Sequence, residues 1–186
     1  MISSRILRVA GVHRPSPSLL YYPGLTSQPW YSRDDIRFAP WLEDLEAAVP
    51  AISSEYERVC NEPSDYESDA THSSLHTGES QWHWASLIDR GQWRPRMIER
   101  CPETAAALKK IPGLCVGHMP FSFAFFSTLN PHSRIVPHFS PANLRIRVHL
   151  PLKVPKYVNT SEKGEISCGI RVAGESRQWE EGKCLM

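Results

Sequence analysis

A helical first half followed by short strands separated by turns predicts an α+β chain, mainly β in its second half, built around a jelly roll or double-stranded β-helix. Three observations carry this. Leu42, Leu45 and Val49 fall at i, i+3 and i+7 with Glu43, Asp44 and Glu46 between them, the pattern of an amphipathic helix. Beyond Gly117, aromatic and β-branched residues dominate short segments punctuated by Asn, Pro and Gly. Within them, Leu144 to Leu150 alternates strictly between apolar and basic side chains. The expected division is an irregular segment 1–20, then one domain over 21–186 with a helical flank 21–117 and a β-core 118–186.

Pro15 and Pro17 forbid a long helix near the N-terminus, Tyr21-Tyr22-Pro23-Gly24 reads as a turn, and Pro29-Trp30-Tyr31 as an aromatic anchor. The helix starting at Pro40 is interrupted at Pro50, and Ile52 with Tyr56 continues a second one to about Val59. Residues 61–80 are polar and aperiodic and predict a long loop. Trp82, Trp84 and Leu87-Ile88 predict a strand entering the core, and Arg90-Gly91-Gln92 a turn. Residues 102–110 predict a short helix, with proline in its first turn and lysines in its last. Strands are predicted at 121–129, 144–154 and 166–172, with a turn near 174–176. Gln178 to Glu180 should be extended, and Lys183 to Met186 should begin a further strand.

At 186 residues the chain is long enough for one domain with a sizeable core. Its formal net charge of +1 gives no reason to expect nucleic acid or an anionic membrane as partner. Cys60, Cys101, Cys115, Cys168 and Cys184 are odd in number and contain no C-x-x-C pair, so reduced structural thiols are expected, not a zinc ribbon or disulfide framework. No run of about 18 apolar residues occurs, and a soluble, cytoplasmic protein is the default expectation. The basic N-terminus is read as a frayed end in preference to a transit peptide.

The chemistry is concentrated between Pro137 and Leu150. Alternation places Arg145, Arg147 and His149 on one strand face and Leu144, Ile146, Val148 and Leu150 on the other. Two guanidiniums and an imidazole on one face suit an anion, because a guanidinium grips a carboxylate through two parallel hydrogen bonds. The competing reading is an exposed polar face of an antiparallel sheet, and the pattern leaves both open. Ser127 could add a hydroxyl from a neighbouring strand. His138 is a candidate metal ligand, but Ser140 stands where an H-x-D or H-x-E pair would place a carboxylate. His72 and His76, among carboxylates in the 61–80 loop, read as solvated residues more readily than as a metal cluster.

Four stretches carry a resemblance: YPGLTSQPW (Tyr22 to Trp30), CPETAAAL (Cys101 to Leu108), FSTLNPHSRIVPHFSPANLRIRVHL (Phe126 to Leu150) and CGIRVAGESRQWEEGKCL (Cys168 to Leu185). In order and spacing they resemble the aspartyl/asparaginyl β-hydroxylase family. The resemblance implies a cupin-like core, Fe(II) as cofactor and 2-oxoglutarate as cosubstrate. It also implies hydroxylation of an Asp or Asn side chain in a protein or peptide, or of a small molecule. His138 matches the family's first iron histidine, and Ser127, Arg147 and His149 match positions that bind 2-oxoglutarate; Arg145 is assigned to structure, as are Arg171, Arg177 and Trp179. The family's second iron histidine and second cosubstrate arginine follow the W-E-E-G-K segment, so the expectation is a barrel incomplete at the C-terminus. A catalytically inactive truncated isoform, acting as a binding or regulatory protein, is the alternative.

Overall fold

A computed structural model describes residues 7–8, 20–35, 37–62, 67–68, 76–77, 82–114, 117, 119–155 and 168–186, with backbone alone for 7–8, 67–68 and 76–77. In chain order the elements are β1 (Leu7–Arg8), β2 (Leu20–Tyr21), α1 (Ala39–Ala47), α2 (Val49–Cys60), β3 (Glu67–Ser68), β4 (His76–Thr77), β5 (Trp82–Asp89), β6 (Gln92–Trp93), α3 (Pro95–Arg100), α4 (Pro102–Lys109), β7 (Ala124–Leu129), β8 (Arg134–Ile135), β9 (Gly169–Val172) and β10 (Glu175–Gln178).

All four helices begin with proline in the first turn, where its missing N–H is no loss and its fixed φ favours helix entry. Pro50 separates α1 from α2 as predicted. The helix α3 was not foreseen: it is six residues long and buries Met97 alone, too little to display a period. The first turn of α4 has no cap of its own. Glu55, on α2, supplies it from across the helix interface. Its carboxylate accepts from the Glu103 and Thr104 backbone N–H groups (2.9 and 2.8 Å) and from Thr104 Oγ1 (2.6 Å), while Arg58 lies 3.7 Å away.

The central sheet is built on β5. Along one side it pairs with β7; on the other it meets β3 at one end and β6 at the other, all antiparallel. The register shifts between Ser86 and Ile88, and Ala85, Ser86, Leu87 and Ile88 are all buried in succession there. The β5–β6 turn places Arg90 and Gly91 at φ 48° and 76°. A Cβ on Gly91 would lie 2.7 Å from the Met119 carbonyl oxygen, so this position requires glycine. Leu42, Leu45, Ile52 and Val59 from the helices meet Leu87, Phe126, Cys184 and Met186 in one core.

Mixed helix and antiparallel sheet is what the chain forms, and no barrel closes among the described residues. Three expectations need correction. The 61–80 loop contains two short strands, β3 and β4, paired with β5 and β8; His72 lies outside the described residues, as does Cys115. The segment 1–20 is not wholly irregular, since β1 pairs with β2, and the Leu20 N–H donates to the Pro141 carbonyl (3.0 Å). The strand predicted over 144–154 makes no ladder. Among the described residues its strand pairing is one antiparallel bridge, His149 with Leu185 (2.8 and 2.9 Å), beside which the Gly182 N–H donates to the Pro151 carbonyl (2.8 Å); the strand expected at 183–186 forms only as that bridge. Val148, Leu150 and Leu152 reach the core, whereas Leu144 and Ile146 are each 42% exposed, so the apolar face turns inward only in its second half. The late hairpin is formed by β9 and β10, with its turn at Ala173-Gly174, one residue earlier than expected.

Candidate functional site

His138 lies on an exposed turn after β8. Its Nδ1 is 2.9 Å from the Val136 carbonyl oxygen. A carbonyl only accepts, so Nδ1 is the donor of this bond, which leaves Nε2 as the nitrogen free to face a ligand. The turn is tied down on both sides. Asn143 clamps Tyr22, accepting from its N–H at 2.8 Å and donating to its carbonyl at 2.9 Å. Arg145 donates from Nε to Ser140 Oγ and from Nη1 to the Phe121 carbonyl, both at 2.8 Å, and lies over the Phe123 ring. Its fork is thus engaged by the protein itself, in keeping with a structural role.

Arg147 differs. Among the described residues its guanidinium has neither a hydrogen-bond acceptor nor an acidic partner. It is accessible to solvent, yet the surrounding protein desolvates it and lowers its pKa below the ordinary arginine value. His149 stands beside it. Burial, and then the Arg147 charge, push the imidazole down to about 4, so it is neutral at physiological pH. The Arg147 charge also depresses Arg145, after burial, so the three side chains share one electrostatic environment as the alternation predicts. The His149 ring stacks on Trp179 at 5.9 Å and 19°.

Ser127 is exposed on β7 and accepts from Trp82 Nε1 at 2.8 Å. The strand beside β7 is β5; no backbone pairing joins β7 to the 144–150 segment among the described residues. Arg147 and His149 are therefore brought together, while no recorded contact joins them to Ser127 or His138. No group of three or more His, Cys, Asp or Glu placed to hold a metal ion occurs among the described residues. One imidazole does not fit an iron site by itself. Cys101 and Cys184, buried, are pushed up to about 11 and about 12, so they are protonated and inert, as expected of structural thiols. No described helix is long and apolar enough to cross a membrane.

Sequence reasoning missed Glu46. This α1 residue accepts a forked ion pair from Arg33 (Nη2 to Oε2 2.9 Å), the Cys184 backbone N–H at 2.8 Å and Lys183 Nζ at 3.4 Å. The Arg33 hydrogen bond holds its pKa down to about 2, against the cost of burial. In sequence it is one more acid on a helix with a polar face, and nothing local signals its partners.

The sequence profile for aspartyl/asparaginyl β-hydroxylases matches residues 46–186. The aspartate β-hydroxylase domain-containing protein 2 of Homo sapiens is 31% identical over 182 residues, covering 93% of this chain and 44% of the relative. The ornithine lipid ester-linked acyl 2-hydroxylase of Rhizobium tropici is 31% identical over 170 residues, covering 90% and 54%. The human aspartyl/asparaginyl β-hydroxylase is 27% identical over 172 residues, covering 91% and 21%. The chain spans about half, or less, of the length of these curated relatives. With a profile match over most of its residues, this chain belongs to the aspartyl/asparaginyl β-hydroxylase family.

Proposed function

We propose that the chain is the cosubstrate-binding part of a 2-oxoglutarate-dependent dioxygenase with a double-stranded β-helix core, hydroxylating a peptidyl side chain. The observation that carries this is Arg147: a desolvated guanidinium with no carboxylate of its own, beside a neutral imidazole. Leaving such a charge unpaired is unfavourable, and a ligand carboxylate relieves it through charge-assisted hydrogen bonds. The Arg147 fork binds and orients one carboxylate of 2-oxoglutarate, and His149 donates an N–H to it. Ser127 is the proposed hydroxyl partner for the cosubstrate. His138, with Nδ1 bonded to the Val136 carbonyl and Nε2 left free, is the proposed ligand for Fe(II). The lipid acyl hydroxylase among the relatives makes a lipid or small-molecule substrate the competing class.

The test is calorimetric titration with 2-oxoglutarate. Binding that falls at least about tenfold in Arg147→Ala is expected, since hydrogen bonds to charged groups contribute roughly 1.5–3 kcal/mol. Absence of binding to the wild-type chain overturns the proposal. A second reading is a binding or regulatory protein without turnover. Binding without succinate formation when Fe(II) and peptide are added selects it.

A further inference from the structure

Among the described residues no sheet ladder supports the segment that carries Arg147 and His149, and other contacts hold the His149 ring. The structure supplies two restraints. One is the indole of Trp179, lying almost parallel to the imidazole at 5.9 Å. The other is the backbone of Leu185, which exchanges both hydrogen bonds with His149. The Leu185 segment is itself held from outside: Glu46 accepts from the N–H of the preceding residue, Cys184, and draws in Lys183 and Arg33. Tyr31 N–H closes the far end on the Met186 carbonyl at 3.0 Å.

We propose that Trp179 and Glu46 are positioning residues for the anion site, Trp179 by fixing the His149 ring and Glu46 by anchoring the strap that pairs with the His149 backbone. This rests on the anion-binding reading of Arg147 and His149. The indole face excludes water from one side of the imidazole, and excluding water is what keeps a histidine neutral. Arg147, on the same segment, adds its repulsion. From the strap side, Lys183 is turned to Glu46, and the Cys184 thiol is protonated at neutral pH. With His149 uncharged, the charge of the site comes from Arg147 with Arg145 beside it, both guanidiniums ionised throughout, so anion affinity does not vary across neutral pH.

The experiment follows the His149 ring by NMR through a pH titration of the full chain, without ligand, in wild type and in Trp179→Phe, Trp179→Ala and Glu46→Gln. The wild-type ring should titrate near 4. Phenylalanine keeps the stack and should leave it there. Alanine should raise it toward the ordinary 6.5. Glu46→Gln should raise it by a smaller amount, with faster amide exchange at Leu185. A parallel 2-oxoglutarate titration should show affinity flat from pH 7 to 8 in wild type and Trp179→Phe. In Trp179→Ala it should be weaker at pH 8 and tighten as the pH falls. A His149 titration unchanged in Trp179→Ala, in a variant whose other amide resonances are native, overturns the positioning role. A shifted His149 with no 2-oxoglutarate binding in any variant leaves the positioning intact and removes the cosubstrate reading instead.

Discussion

Glu55 is a buried charge and Arg147 a solvent-accessible charge partly desolvated by surrounding protein, and the protein treats them in opposite ways. Glu55, 2% exposed, is satisfied by three donors from the start of α4 and by Arg58, so its charge joins two helices. Arg147 is desolvated and left without a partner among the described residues, so its charge remains available. In the helix-and-sheet half the buried Glu55 carboxylate is satisfied internally and ties α2 to α4. The 137–155 segment leaves one cation and the Leu144 and Ile146 side chains open, and can respond to a ligand for that reason.

The largest effect should come from Glu55→Ala. It orphans two N–H groups and a hydroxyl at the start of α4, and should cost about 3–5 kcal/mol in urea unfolding. A cost under about 1 kcal/mol would mean the helix interface does not depend on this cap.

Acid should act next, through His149 and then Glu46. Between about 6.5 and about 4 the unfolded chain takes up a proton on His149 that the folded chain refuses, so stability falls as pH falls through that window. Glu46 stabilises fully above about 4.5, where its unfolded carboxylate is ionised, and loses its contribution as pH falls toward about 2. Each step is on the order of 2–3 kcal/mol. Urea midpoints at pH 7.5, 5 and 3.5 measure them, and Trp179→Ala should flatten only the first.

Gly91→Ala should cost about 2 kcal/mol, because the added Cβ meets the Met119 carbonyl at a left-handed φ. Thermal unfolding measures this, and 2-oxoglutarate affinity corrected for folded fraction should not move.

Arg147→Ala should change stability least, within about 0.5 kcal/mol or slightly upward, since removing an unpaired desolvated charge relieves a penalty. Together with lost anion binding, this makes it the inverse of Glu55→Ala. Marked destabilisation by Arg147→Ala would erase the contrast between the two halves.

The two amphipathic helices, α4, the β5 and β7 strands and the hairpin at residues 169–178 were legible because each rests on local periods or turn chemistry. The short strands at 67–68 and 76–77 were not, because two-residue pairings leave no period to read. The alternation from Leu144 to Leu150 put Arg145, Arg147 and His149 on one face and Leu144, Ile146, Val148 and Leu150 on the other, but only Val148 and Leu150 of the apolar set reach the core. Periodicity assigns faces but does not say what lies opposite each face.

By itself the sequence determined the longer helices and the β5 and β7 strands, the family to which the chain belongs, and the residues worth suspecting, since all of these are written in spacing and motif. The tertiary structure decided which charges are satisfied. Arg145 spends its hydrogen bonds on Ser140 and Phe121 while Arg147, two residues on, keeps its own. Glu46 and Trp179 brace His149 from positions 103 and 30 residues away in sequence. Hydrogen bonds and desolvation depend on distance in space, and only the folded chain fixes that distance.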